Sequence, residues 1–200
     1  MNYYAEFNTD KYIIENFFLG KKDGIMLETG AGPTVEISMS KSFRENGWRT
    51  ICVEPNPYYV DMHKKEKNEI YQYALSNEIA YNHDFEIANP DTPYQLSSSA
   101  IKIIRNDKDT VNKKIIKVDI VTLNWLLNSL GLSKLDFVSI DVEGWEIEVM
   151  EGFDTSIYKP LIILLENLYD DNYYNIYMND IKYTLINKIF FNYIYKRNDE

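Results

Sequence analysis

The stretch from Ile25 to Val53 constrains the fold more than any other part of the chain. Ile25-Met26-Leu27 is a short apolar run. It opens into the turn Glu28-Thr29-Gly30-Ala31-Gly32-Pro33, and a helix is expected from Thr34 to Glu45. Pro33 near the start of that helix and Gly47 just past its end follow the usual Pro/Gly asymmetry of helix termini. A second apolar run, Thr50 to Val53, ends in Glu54-Pro55-Asn56-Pro57. A strand, helix and strand this closely spaced are joined by a right-handed crossover, which commits the chain to a parallel sheet.

Flanking segments extend this unit. Asn8-Thr9-Asp10 can cap a helix through Tyr12-Ile13-Ile14 to Phe17-Phe18, and the polar turn Gly20 to Gly24 ends it. Further strands are expected at Ile70 to Leu75, Asp84 to Ile87, Phe137 to Ile140 and Leu161 to Leu165. Helices are expected at Tyr58 to Lys67, Val121 to Leu130, Gly144 to Met150 and Tyr173 to Met178. Ala88 to Asn112 reads as irregular, with Pro90, Pro93 and Ser97-Ser98-Ser99, in the manner of a binding loop or lid. The β-branched, aromatic tail, Lys182 to Ile189 and Asn192 to Tyr195, suits an antiparallel hairpin at the sheet edge. The fold class expected is therefore α/β, a doubly wound and mostly parallel sheet with a C-terminal antiparallel hairpin. With 200 residues and no long linker or repeat, residues 1–200 read as one domain, with 1–24 as a helical lead-in.

Composition narrows the function. The formal net charge of −10 opposes binding to phosphate backbones, which disfavours nucleic acid as a partner. Lysines 64, 65 and 67, and the group 108, 113, 114 and 117, read as solvated surface. The N-terminal residues carry no basic stretch followed by an apolar one, and the longest apolar run, Leu161 to Leu165, is too short to span a bilayer. A soluble, cytoplasmic protein with no membrane association is the expectation. The lone Cys52 lies in an apolar run and reads as a buried small hydrophobe.

Three constellations carry the chemistry. In the turn Glu28 to Gly32, glycines allow close backbone approach to a ligand, and the following helix N-terminus attracts anions. Glu54, at the end of the second strand, can accept hydrogen bonds from both ribose hydroxyls of an adenosine cofactor. These two features suit NAD and S-adenosylmethionine alike. A dinucleotide fingerprint, however, wants a third glycine where this chain has Val35. The third constellation is Phe137-Val138-Ser139-Ile140-Asp141-Val142-Glu143-Gly144-Trp145-Glu146, a buried strand that ends in crowded carboxylates, then a glycine and a helix. Acids packed together at the C-terminal edge of a sheet are costly unless they are solvated, paired or used.

The run from Ile140 to Gly152 resembles the signature of FkbM-type methyltransferases. Leu27 to Gly32 resembles that family's first motif, Gly47 to Pro57 its second, and Tyr73-Ala74-Leu75-Ser76 its third. The resemblance implies a Rossmann-like class I methyltransferase that uses S-adenosylmethionine and methylates hydroxyl oxygens of a small-molecule or glycan acceptor. Glu28, Gly30, Ala31 and Gly32 would hold the methionine part of the cofactor, Glu54 its ribose, and Ala74 and Leu75 would line its site. Asp141 or Glu143 would be the general base, with Trp145 and Glu166 as substrate contacts. No His/Cys set suggests zinc, and Mg2+ stays open as a partner of the acids. The chain departs from the family at Glu28, where Asp is usual, at Gly32 and Thr34, where Asn and Gly are common, and at Ser139, where Lys is frequent. Those changes keep a second reading in view, a methyltransferase fold serving as a binding or scaffold protein. A third is methylation of RNA or protein. His63 and His83 are assigned structural roles, His63 on a lysine-rich helix surface.

Overall fold

The computed structural model describes residues 1–88 and 113–198. The central sheet has seven strands in the order β3-β2-β1-β7-β8-β10-β9. They are β1 (Ile25–Thr29), β2 (Arg49–Val53), β3 (Glu69–Tyr71), β7 (Phe137–Ile140), β8 (Ile162–Glu166), β9 (Tyr183–Ile189) and β10 (Asn192–Arg197). The first five run parallel, and β10 inserts antiparallel between β8 and β9. The chain starts in the middle of the sheet, winds outward to β3, then returns to β1 and continues on its other side. Every switch of direction leaves strand C-termini at one edge, and ligand sites of open α/β sheets form there.

Strand alternation explains the two cores. Met26, Phe137, Ile162 and Leu164 point to one face, where Ile13 and Ile14 of α1 (Thr9–Phe17) and Phe43 of α2 (Met39–Glu45) cover them. Leu27, Val138, Ile163 and Leu165 point to the other. There they meet Leu126 and Leu127 of α4 (Leu123–Ser129), Met150 of α5 (Glu146–Glu151) and Met178 of α7 (Tyr173–Asp180). Both faces are covered, so the parallel strands read as continuous apolar runs rather than alternating ones.

Several boundaries differ from the sequence expectation. The helix expected from Thr34 starts only at Met39. Ile37 sits at φ 58, a left-handed conformation that no helix continues. The strand expected over Ile70 to Leu75 is two strands. The chain leaves the central sheet after β3 and pairs again as β4 (Ala74–Leu75) with β6 (Lys113–Val121). That second, three-stranded sheet has the order β4-β6-β5, where β5 is Ala80–Ala88. Val121, expected to open a helix, ends β6. Thr122 follows it and caps α4 by accepting from the Trp125 amide at 3.0 Å. Asn8 makes no side-chain cap for α1; Asp10 instead accepts from the amides of Tyr4 and Lys11, both at 2.8 Å. The remaining helices are α3 (Pro57–Lys65) and α6 (Thr155–Tyr158). The irregular segment expected over Ala88 to Asn112 lies outside the described residues except at Ala88, the last residue of β5.

Two of the lysines read as solvated surface, Lys113 and Lys117, pair across the β5–β6 ladder with Glu86 and Asp84, each at 2.6 Å. Among the described residues, no helix is long and apolar enough to cross a membrane.

Candidate active site

A cavity of about 240 Å³ opens at the C-terminal edge of the parallel strands. It gathers residues from all three constellations: Glu28 of β1 with Gly30, Ala31 and Gly32 just after it, Glu54 after β2, and Asp141, Glu143 and Trp145 after β7. Ala74 and Leu75 of β4 and Glu166 at the end of β8 also line it. Tyr59, Tyr73 and Phe85 add aromatic surface that motif reasoning missed, and Glu6 and Ile37 stand at its N-terminal side. Phe85 could be found only through β5, whose pairing with β6 turns it inward.

Each acid has a distinct local setting. Glu28 points to the same face as Met26, toward α2. Its carboxylate accepts from the amides of Met39 at 2.8 Å and Ser40 at 3.2 Å, so it serves the α2 N-terminus as well as lining the cavity. Burial raises its pKa, against those hydrogen bonds. Cys52, beside Glu28 across the β1–β2 ladder, is buried, and its thiol is pushed up to about 12, so it is no nucleophile.

Glu54 accepts from the Asn56 amide at 2.7 Å and the Gly32 amide at 3.1 Å. It thereby ties the end of β2 to the glycine turn. Burial raises its pKa from 4.5 to about 7, against these two hydrogen bonds. Gly30 and Gly32 both have positive φ, at 68 and 49. A Cβ on Gly30 would overlap the Asp141 carbonyl oxygen, so the residue lets β1 and β7 close on each other. A Cβ on Gly32 would meet only the Gly30 oxygen at 3.8 Å and would otherwise project into open space. Gly32 therefore leaves room beside the turn, in a cavity that Glu54 also lines.

Asp141 is solvent-accessible but sits in a crowded, desolvated recess. Its side chain is hydrogen-bonded to Glu166, and its pKa is raised well above the usual carboxylate range by burial, then by Glu166, Glu143 and Glu146. Two carboxyl groups joined by a hydrogen bond share a proton, because they cannot both be ionised at that distance. Glu143 follows in a left-handed conformation, φ 63, which costs a non-glycine residue about 1–2 kcal/mol. Glu146, missed as a site residue, holds that turn. It accepts from the amides of Val142 and Gly144, both at 3.0 Å, and from the Tyr174 hydroxyl at 2.6 Å. Trp145 donates its indole N–H to Ser76 at 3.2 Å, which fixes its ring against the cavity.

Asp141, Glu146 and Glu166 bring carboxylate oxygens within 4.8 Å of one another. A magnesium ion there finds no support in the donor set. Both Glu146 oxygens already accept from protein donors, and burial with the neighbouring carboxylates raises the Asp141 pKa, which favours its neutral form over a metal-binding carboxylate.

The strand order, with a cavity at the C-terminal edge of the parallel strands, is that of a Rossmann-like α/β fold of the kind methyltransferases use. The chain belongs to the FkbM methyltransferase family: the family model described as the methyltransferase FkbM domain matches residues 23–183. No curated protein matches the chain.

Proposed function

We propose that the protein transfers a methyl group from S-adenosylmethionine to a hydroxyl oxygen of a carbohydrate or another small molecule. The observation that carries this reading is that Glu54, hydrogen-bonded to the glycine turn at Gly32, lines the same cavity as Asp141 and Glu166. Gly30, Ala31 and Gly32 would lie along the cofactor, Glu54 would accept from its ribose hydroxyls, and Ala74, Leu75 and Phe85 would cover its base. The cofactor supplies an electrophilic methyl group on a sulfonium. The protein's part is to align the acceptor oxygen at near-attack distance and to take its proton. With the Asp141 pKa raised by burial and by Glu166, the pair would hold one proton and one negative charge, and the charged member would accept the hydroxyl proton.

Among the described residues, every charged side chain lining the cavity is a carboxylate. That suits a cationic methyl donor and an uncharged polyol, and it offers no counter-charge to a phosphate. It favours a small hydroxylated acceptor over RNA. Calorimetric titration with S-adenosylhomocysteine tests the cofactor assignment. Saturable binding that Glu54→Ala abolishes is the expected result; a folded wild type that ignores millimolar ligand refutes the reading.

A further inference from the structure

We infer that His63 is a positioning residue for the cofactor cradle, acting through the Gly32 backbone to aim the Glu54 carboxylate. The inference rests on the cofactor reading above and assigns it a residue outside all four matching motifs.

Helix geometry puts His63 there. Residues 59, 60 and 63 of α3 share one face, and all three are buried, while the lysines at 64 and 65 turn outward. His63 has no solvent exposure, and its Nε2 lies 3.1 Å from the Gly32 carbonyl oxygen. A carbonyl only accepts, so Nε2 carries the proton. In the neutral ring Nδ1 is then an acceptor, and it receives the Asn68 side-chain amide at 3.2 Å. Burial, with Arg44 nearby, lowers the His63 pKa and keeps the ring neutral.

Gly32 is thus held on both sides, through the N–H of its peptide with Ala31 and the carbonyl of its peptide with Pro33. Its N–H donates to Glu54 and its carbonyl accepts from His63. Gly32 has no side chain to restrict it, sits at positive φ, and has open space around its Cα. Loss of the His63 bond would free the plane of this carbonyl, and through the unrestricted φ and ψ of Gly32 that freedom would reach the neighbouring amide that aims Glu54. The chain Asn68 to His63 to Gly32 to Glu54 therefore joins the α3 C-terminus to the group that would receive the ribose.

Three measurements test this, with S-adenosylhomocysteine as the probe. His63→Leu should weaken calorimetric binding about tenfold, the effect of losing one buried hydrogen bond. His63→Gln, whose amide nitrogen can replace Nε2, should bind within about threefold of wild type. Adding His63→Leu to Glu54→Gln should cause no further loss, because both act on one contact. Wild-type affinity in His63→Leu, or losses that multiply in the double variant, would overturn the inference. Should His63→Leu fail to fold, nitrogen-15 NMR of the wild type still decides, since the chain has only two histidines. A proton on Nε2 is expected for His63, and one on Nδ1 overturns the proposal. Failure of the wild type to bind the probe would instead refute the cofactor reading, leaving the tautomer result to stand on its own.

Discussion

Gly30 and Gly32 both adopt positive φ, yet replacing them by alanine should have different consequences. At Gly30 the new methyl would overlap the backbone oxygen of Asp141, which cannot move aside as a flexible side chain would. Relief requires β1 and β7 to part at their C-terminal ends, where Asp141 N also donates to Thr29 O at 3.3 Å. Left-handed strain of about 1–2 kcal/mol adds to an overpacking cost of about 1–3 kcal/mol, so Gly30→Ala should destabilise the fold by about 3 kcal/mol. For a chain of this size that lowers the melting temperature by about 6–12 °C. At Gly32 the methyl meets only an oxygen at 3.8 Å, so the strain of about 1–2 kcal/mol stands alone, and melting should fall by about 2–8 °C. Its methyl does, however, project toward the cradle. Gly32→Ala should therefore lose S-adenosylhomocysteine affinity out of proportion to its stability. Urea denaturation and calorimetry of both variants make the comparison. A Gly30→Ala protein as stable as wild type would refute the close approach of β1 and β7, and equal ligand affinity in Gly32→Ala and wild type would refute the cradle.

Other expectations follow from the same geometry. Glu54 titrates near 7 in the folded protein against an ordinary 4.5. Its folded form holds the proton more tightly than the unfolded chain, so this group's contribution to stability is full below 4.5 and declines as pH rises to about 7. A melting series of the ligand-free protein from pH 5 to 8 should show the decline, and Glu54→Gln should flatten it. The ionised carboxylate is the better ribose acceptor, so ligand affinity should rise over that pH range; affinity that falls would contradict the assignment. Tyr174→Phe removes the hydroxyl that Glu146 accepts at 2.6 Å and should cost about 2 kcal/mol in urea denaturation, the value of a hydrogen bond to a charged acceptor. Asp141→Asn should bind S-adenosylhomocysteine within a few-fold of wild type, yet lose on the order of a hundredfold or more in methyl transfer to an acceptor found by a sugar screen. Unchanged turnover would remove Asp141 from the chemistry.

The central sheet was legible because its strands are covered on both faces. Runs such as Thr50 to Val53 and Phe137 to Ile140 carry a strong apolar signal, and the glycine turn between the first two strands fixes their connection. Glu54 and the acids after β7 stood out because a carboxylate that ends a buried strand has few structural explanations. The second sheet was hidden for the opposite reason. β6 opens with Lys113-Lys114 and is exposed over its first half, so its apolar residues read as isolated until Val118. Its lysines are the solvated surface the sequence suggested, and Lys113 and Lys117, on one face of the strand, pair there with acids on β5. The late start of α2 was equally out of reach. It is set by Glu28, which reaches from β1 to the amides of Met39 and Ser40 and so fixes where the helix begins.

His63 shows what a helical reading can still recover. Its sequence neighbours are lysines, and composition alone places it on the surface. Spacing places it elsewhere: Tyr59 and Val60 are the apolar residues of that helix, and position 63 follows them by four and three. A polar residue on an apolar stripe must find a partner once buried, and the one it finds is the carbonyl of Gly32, 31 positions earlier in the sequence. The same logic applies to Glu146. Its position at the start of α5 suggests no more than a favourable helix dipole. Burial turns it into a three-bond anchor for the turn that carries Glu143. Both residues are polar, buried and bonded to backbone that would otherwise be free to move. The motifs supply the groups that line the cavity, while residues of this second kind hold the motif backbone in its conformation.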